Sequence, residues 1–243
     1  MRNMDNIYRE KKSIDLLFGN SKYEKWLSFN NDFNEPLTDE IIKDINKYEN
    51  ISFGSYFTQK IDNLPKSLKR LSLGWFFNEK IDNLPDGLTH LTFLGLSTFN
   101  HDIDKLPLSL THLRLGKYFN KKINNLPDGL THLILGENFN KPLDFLPKNL
   151  KKLFIDFNYE HKLDNLPEGL EQLTFGYEDT INYGSVSFKY YVDEDDIDKC
   201  YHKFQHDLTN LPKSLKCIKI LRNYKGKIIL PKNCEIKYHS LNL

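Results

Sequence analysis

The dipeptide Leu-Pro punctuates this 243-residue chain at Leu64-Pro65, Leu84-Pro85, Leu106-Pro107, Leu126-Pro127, Leu146-Pro147, Leu166-Pro167, Leu211-Pro212 and Leu230-Pro231. Successive prolines are 20, 22, 20, 20, 20, 45 and 19 residues apart. Seven residues before each leucine of the first seven pairs stands an aromatic: Phe57, Phe77, Phe99, Phe119, Phe139, Tyr159 or Phe204. Ile or Leu follows that aromatic by four residues, and Leu-x-x-Leu-x-Leu/Phe follows the proline, as in "LTHLRLG" and "LEQLTFG". A period held in register over more than half the chain constrains the fold more than any local propensity does, because one such phrase cannot bury its apolar side chains alone. Stacked turns can, by sharing one continuous core.

Within each phrase only the final Leu-x-Leu/Phe has the two-residue period of a strand. The other anchors lie three or four apart around a proline, whose fixed φ excludes a long helix. Twenty residues sit at the short end of leucine-rich repeats and leave no room for a strand plus a full helix. The expected fold class is therefore a leucine-rich-repeat-like repeat solenoid. Each turn has a short parallel β-strand on one face, a bend (Gly74, Gly116, Gly136, Gly176) and an irregular or 3-10 return. The stack is predicted to be right-handed and curved, with strands near residues 70–73, 90–93, 112–115, 132–135, 152–155, 172–175 and 217–220. Leu71, Leu91, Leu113, Leu133, Leu153 and Leu173 are its expected buried ladder.

The phrases "FNEKIDNLP", "FNHDIDKLP" and "FNKKINNLP", followed by "LTHLTF", "LTHLRLG" and "LTHLILG", resemble the FNIP repeat. That family is a relative of the leucine-rich repeats, abundant in social amoebae and in giant viruses that infect amoebae. The resemblance covers about residues 53–176 and 204–231. It implies a solenoid without known catalytic activity, used for protein–protein contact. Some similar proteins carry an F-box upstream and act as ubiquitin-ligase substrate adaptors.

Two regions leave the pattern. Residues 1–50 are expected to form a helical N-terminal cap with a degenerate first turn, since "FNEPL" at 33–37 echoes "FNKPL" at 139–143. Thr38, Asp39 and Glu40 before Ile41, Ile42 and Ile45 read as an N-capped helix running to about Tyr48. Upstream, Ile14, Leu17, Phe18, Tyr23, Trp26 and Leu27 are expected in one or two further helices covering the end of the core. "LTDEIIKDI" vaguely resembles the start of an F-box, but the first repeat strand follows about ten residues later, too soon for the remaining helices.

The second region lies in the solenoid span, residues 51–243. Between Gly176 and Phe204 an insertion, 177–203, adds 25 residues to the usual spacing. Within it "SVSFKYYV" alternates like a strand and "DEDDID" reads as an acidic turn without a calcium loop's glycine and terminal glutamate. An inserted recognition element and a decayed repeat turn are both compatible with its length. A degenerate final turn spans 224–243.

The net charge of +1, from 34 basic and 33 acidic residues, gives no field that would draw the chain to nucleic acid or to a membrane surface. Mean hydropathy is −0.57, and no apolar run reaches a membrane span. The first twenty residues lack a signal peptide, so a cytoplasmic location is expected, in the host cytoplasm if the chain is viral. Three scattered cysteines form neither a disulfide framework nor a Cys-x-x-Cys pair.

No nucleophile–base arrangement or phosphate-binding glycine motif is legible, so no enzyme activity and no cofactor are expected. His90, His112 and His132 occupy one slot in consecutive repeats, on the sheet face opposite the core. A metal could use such a row, but no Asp or Cys stands beside it to complete a site, and a polar ladder with mutually depressed pKa values is the preferred reading. Asn78, Asn100, Asn120 and Asn140 are read as a ladder satisfying backbone groups.

Function is expected on the outer strand face. There Ile134 and Phe154 take a slot that is polar elsewhere, and are expected in water beside Arg114, His132 and Lys152. These five residues are the candidate protein-binding site, with aromatic and Arg chemistry that interaction hot spots favour. The leading function is a non-enzymatic module binding a protein through this face or through the insertion. A structural component of a viral or cellular assembly and a ubiquitin-ligase adaptor are the alternatives. The partner's identity and the oligomeric state stay open.

Overall fold

The computed structural model describes residues 8–14, 23–156, 158–176, 182–183, 186–187 and 203–238. Strands β1 (Tyr8–Ile14) and β2 (Tyr23–Phe29) pair antiparallel. Helix α1 (Asp39–Ile45) follows, and then β3 (Asn50–Ser52), β4 (Arg70–Leu73), β5 (His90–Phe93), β6 (His112–Arg114), β7 (His132–Ile134), β8 (Lys152–Ile155) and β9 (Gln172–Phe175). A small hairpin, β10 (Asn182–Tyr183) with β11 (Val186–Ser187), precedes β12 (Cys217–Ile220) and β13 (Glu235–Tyr238). From β2 to β13 the main sheet is parallel, each strand pairing with the equivalent strand of the next turn.

The expected solenoid is present, and its strands start at the positions the repeat gives. Leu71, Leu91, Leu113, Leu133, Leu153 and Leu173 are register partners, each no more than 1% exposed. Behind them runs a column of rings. Phe57, Phe77, Phe99, Phe119, Phe139, Tyr159, Phe204 and Tyr224 stack in succession, with centroids 6.1–6.4 Å apart. Paired strands are only about 4.8 Å apart. The turns therefore splay on the ring side, and the strand face is the concave one.

Bends stack as closely as the strands do. A Cβ at Gly136 would lie 2.4 Å from the Gly116 carbonyl oxygen, and one at Gly74 would lie 2.0 Å from that of Gly54. Only glycine permits this approach. The two extra residues of the 22-residue repeat are absorbed in the bend, where the buried Ser97 donates its amide to the Leu94 carbonyl. The stack keeps its register, and Phe99 still lies between Phe77 and Phe119. Asparagine side chains tie the returns: Asn78, Asn100, Asn120 and Asn140 each accept the amide of the equivalent residue one turn on, at 2.9–3.1 Å.

Two features differ from expectation. The segments 8–14 and 23–29, expected as helices, are strands. Leu27 and Phe29 alternate into the core, and β2 extends the parallel sheet by pairing with β3. A sheet edge supplies unpaired backbone groups that an extended chain satisfies and a helix cannot. Leu17 and Phe18 lie outside the described residues. Helix α1 forms where expected, with Thr38 Oγ1 accepting the Ile41 amide, but it ends at Ile45, with Asn46 as C-cap.

The described turns on either side of the insertion are adjacent in the stack. β9 pairs directly with β12, and Phe204 stacks on Tyr159, so no decayed turn lies between them. Most of 177–203, including the acidic run, lies outside the described residues.

Candidate functional site: the concave strand face

Two side-chain rows cross this face. The first is Arg70, His90, His112, His132, Lys152, Gln172 and Cys217, each the register partner of the next. The imidazole centroids of His90 and His112 are 4.1 Å apart, and those of His112 and His132 4.2 Å, with planes within 16° of parallel. This separation is smaller than the strand spacing, as the inside of a curve requires.

The sequence reading missed what holds these rings. Thr89, Thr111 and Thr131 donate their hydroxyls to the carbonyls of Lys69, Thr89 and Thr111, at 2.9–3.1 Å. The same oxygens lie 2.8–2.9 Å from Nδ1 of His90, His112 and His132. A hydroxyl has one proton, and a carbonyl only accepts. Both contacts are satisfied when Nδ1–H donates to the hydroxyl oxygen, leaving Nε2 as the acceptor nitrogen. The recurring "TH" dipeptide was the available signal.

Burial is the first cause that pushes His90 and His112 down to about 3, and His132 to about 4. Neighbouring charge adds to it, from Arg70, Lys152 and the other imidazoles. The expected depression is there, but desolvation outranks the like-charge repulsion to which it was ascribed. Parallel rings also do not converge on one cation, and among the described residues no cluster of three His, Cys, Asp or Glu side chains can hold a metal.

The second row is Ser52, Ser72, Thr92, Arg114, Ile134, Phe154, Thr174 and Lys219. The structure brings the five candidates together: Ile134 lies between Arg114 and Phe154, and His132 pairs with Lys152. Their exposure differs from expectation. Arg114 is only 3% exposed, so it is not a solvated rim residue, while Ile134 and Phe154 are half-buried rather than out in water. Concave curvature crowds this row, and Ser72, Thr92 and Thr174 are likewise buried. Ile134, Phe154 and His132 keep part of their surface, and Lys152 is exposed.

A second apolar feature went unread. In the slot before the core aromatic, Tyr56 (58% exposed) and Phe76 (45%) stack at 5.3 Å along the bend edge. Tyr118 follows two turns later with Lys117 over its ring. The pairs Tyr56-Phe57, Phe76-Phe77 and Tyr118-Phe119 were the signal, because one ring of each must face away from the core. On the return side an open depression of about 520 Å³ is lined by Asn100, Asp104, Asn120 and Lys122 among others, but Asn100 and Asn120 already serve the amide ladder.

The family model for the FNIP Repeat matches residues 59–95, 99–138, 122–156 and 139–178. Among solved structures the chain is similar to CroV588, a giant-virus protein described as a novel circular leucine-rich-repeat structure. The two are 29% identical, with a TM-score of 0.54, over 96% of this chain and 41% of that one. The chain thus spans less than half the length of this neighbour. No curated protein matches the sequence.

Proposed function

Because residues 59–178 of the chain are FNIP repeats, we propose that it is a non-enzymatic interaction module whose protein partner docks on the concave face at Ile134 and Phe154. One observation carries this reading. The two large apolar side chains are direct register partners in a row otherwise filled by Ser, Thr, Arg and Lys, and both keep part of their surface exposed. A ring half out of the surface gains by burial in a partner, and its polar border of His132 and Lys152 supplies the rim that such sites use. Arg114 is buried next to Ile134 in the same row.

The Tyr56–Phe76 stack favours a second reading, docking along the bend edge. Affinity capture with the full chain, quantified for each captured protein, separates the two. Phe154→Ala is expected to weaken the partner by about 1–2 kcal/mol or more, with Tyr56→Ala and Phe76→Ala neutral. The reverse pattern moves the site to the bend edge. Loss on replacing 178–202 by a short linker, with all three alanine variants neutral, moves it to the insertion. No effect from any of them overturns the interaction reading.

A further inference from the structure

The charges in the two rows of the concave face are all of one sign. From β4 to β12 these rows hold Arg70, Arg114, Lys152 and Lys219 and no Asp or Glu. The whole chain, by contrast, is nearly balanced at 34 basic and 33 acidic residues. Away from these rows lysines find carboxylates within the molecule: Lys117 pairs with Glu137, and Lys151 and Lys216 both pair with Glu171. One residue after Glu171, on the face itself, stands the amide Gln172. The carboxylate that follows β8, Asp156, is buried and accepts the Asn158 amide. Among the described residues Lys152 and Lys219 close no ion pair.

These two lysines bracket the apolar patch. Lys152 stands two residues before Phe154 on β8, so it shares the same face about 7 Å away along the strand. Lys219 lies in the row of Phe154 two strands on, beyond Thr174, about 10 Å away. A partner that covers Phe154 also displaces water around both ammonium groups. That strengthens their attraction to an opposite charge and makes a like charge costly.

We propose that the partner segment docking on this face is an acidic peptide, with an apolar anchor over Ile134 and Phe154 and carboxylates over Lys152 and Lys219. The inference rests on the docking of a protein at Phe154 and adds the chemistry of that partner. In an extended segment crossing the strands, a carboxylate about three residues from the anchor spans the distance to Lys219. A second, beside the anchor, meets Lys152. A nucleic acid fits this face less well. Four cations, of which Arg114 is buried, offer few phosphate contacts, and one half-buried ring is not a run of stacking platforms.

Panning a random peptide library displayed on phage against the immobilised full chain tests this. The selected peptides are expected to carry Asp or Glu on both sides of an aromatic residue or leucine. For one such peptide, labelled with a fluorophore, Kd is expected to rise about tenfold with Phe154→Ala and about fivefold or more with Lys152→Glu or Lys219→Glu. Both lysine variants should melt with the wild type. Exchanging one peptide carboxylate for lysine is expected to restore binding to one of these two variants to within about threefold. Loss with Phe154→Ala but not with either lysine variant overturns the acidic partner and leaves the docking site standing. Loss with the lysine variants but not with Phe154→Ala overturns the docking reading and this inference with it. A selection that yields no binder, or only neutral or basic peptides, also overturns the proposal, as does displacement of the peptide by an equal concentration of single-stranded DNA.

Discussion

His112 stacks on His132 with ring centroids 4.2 Å apart and planes 16° from parallel, each ring tethered through Nδ1 to the threonine before it. The arrangement accepts neutral imidazoles and penalises charged ones. Both folded pKa values, about 3 and about 4, lie below the ordinary 6.5. A group whose folded pKa is lowered in this way binds its proton more readily when unfolded. Its contribution is therefore complete above about pH 6.5 and erodes as pH falls towards 4 and below. Denaturation midpoints measured across that window should show His112→Gln with a flatter profile than the wild type. Equal slopes would mean that the stack does not govern acid sensitivity.

The tautomer is separately measurable. Nitrogen NMR at neutral pH should show His90, His112 and His132 protonated at Nδ1. Thr111→Val removes the acceptor for His112 and a hydroxyl that bridges to the Thr89 carbonyl. It should cost about 1–3 kcal/mol and release the Nδ1 preference of His112 alone. An unchanged spectrum would remove the threonine from the account.

Leu133 and Phe154 test the two faces of the sheet against each other. Leu133 is fully buried in the centre of the ladder, and Leu133→Ala should cost about 2–5 kcal/mol in chemical denaturation. Phe154 keeps part of its ring in solvent, so Phe154→Ala should cost less than about 1.5 kcal/mol while reducing partner binding. If Phe154→Ala destabilises as much as Leu133→Ala, its ring is structural.

Gly136→Ala should destabilise by about 1–3 kcal/mol, because the new methyl meets the Gly116 carbonyl oxygen and the stacked bends must separate. Gly129 gives the control: a Cβ there comes no nearer than 3.4 Å to its neighbours, and Gly129→Ala should change thermal stability little. Comparable losses at both positions would show that the close approach at Gly136 does not set the requirement, because Ala by itself reduces the entropy lost on folding.

The sequence by itself determined the solenoid, its strand positions and its core, because Leu113, Phe119, Ile123 and Leu130 recur at offsets that leave one way for successive turns to stack. It also determined which side chains share a row, since a strand alternates with period two. Three things were decided only in three dimensions. The end of the stack selects the conformation of its neighbours, so residues 8–14 and 23–29 became strands against a free edge, although their local pattern also suited a helix. The direct pairing of β9 with β12 left no turn of the sheet between them, which no count of intervening residues could establish. Exposure on the outward face depended on curvature. Rings 6.1–6.4 Å apart behind the sheet and imidazoles 4.1–4.2 Å apart before it make that face concave, and concavity buries Arg114 and half-covers Phe154. Alternation assigns a side chain to a face, but only the summed size of side chains across many turns sets how tightly that face closes.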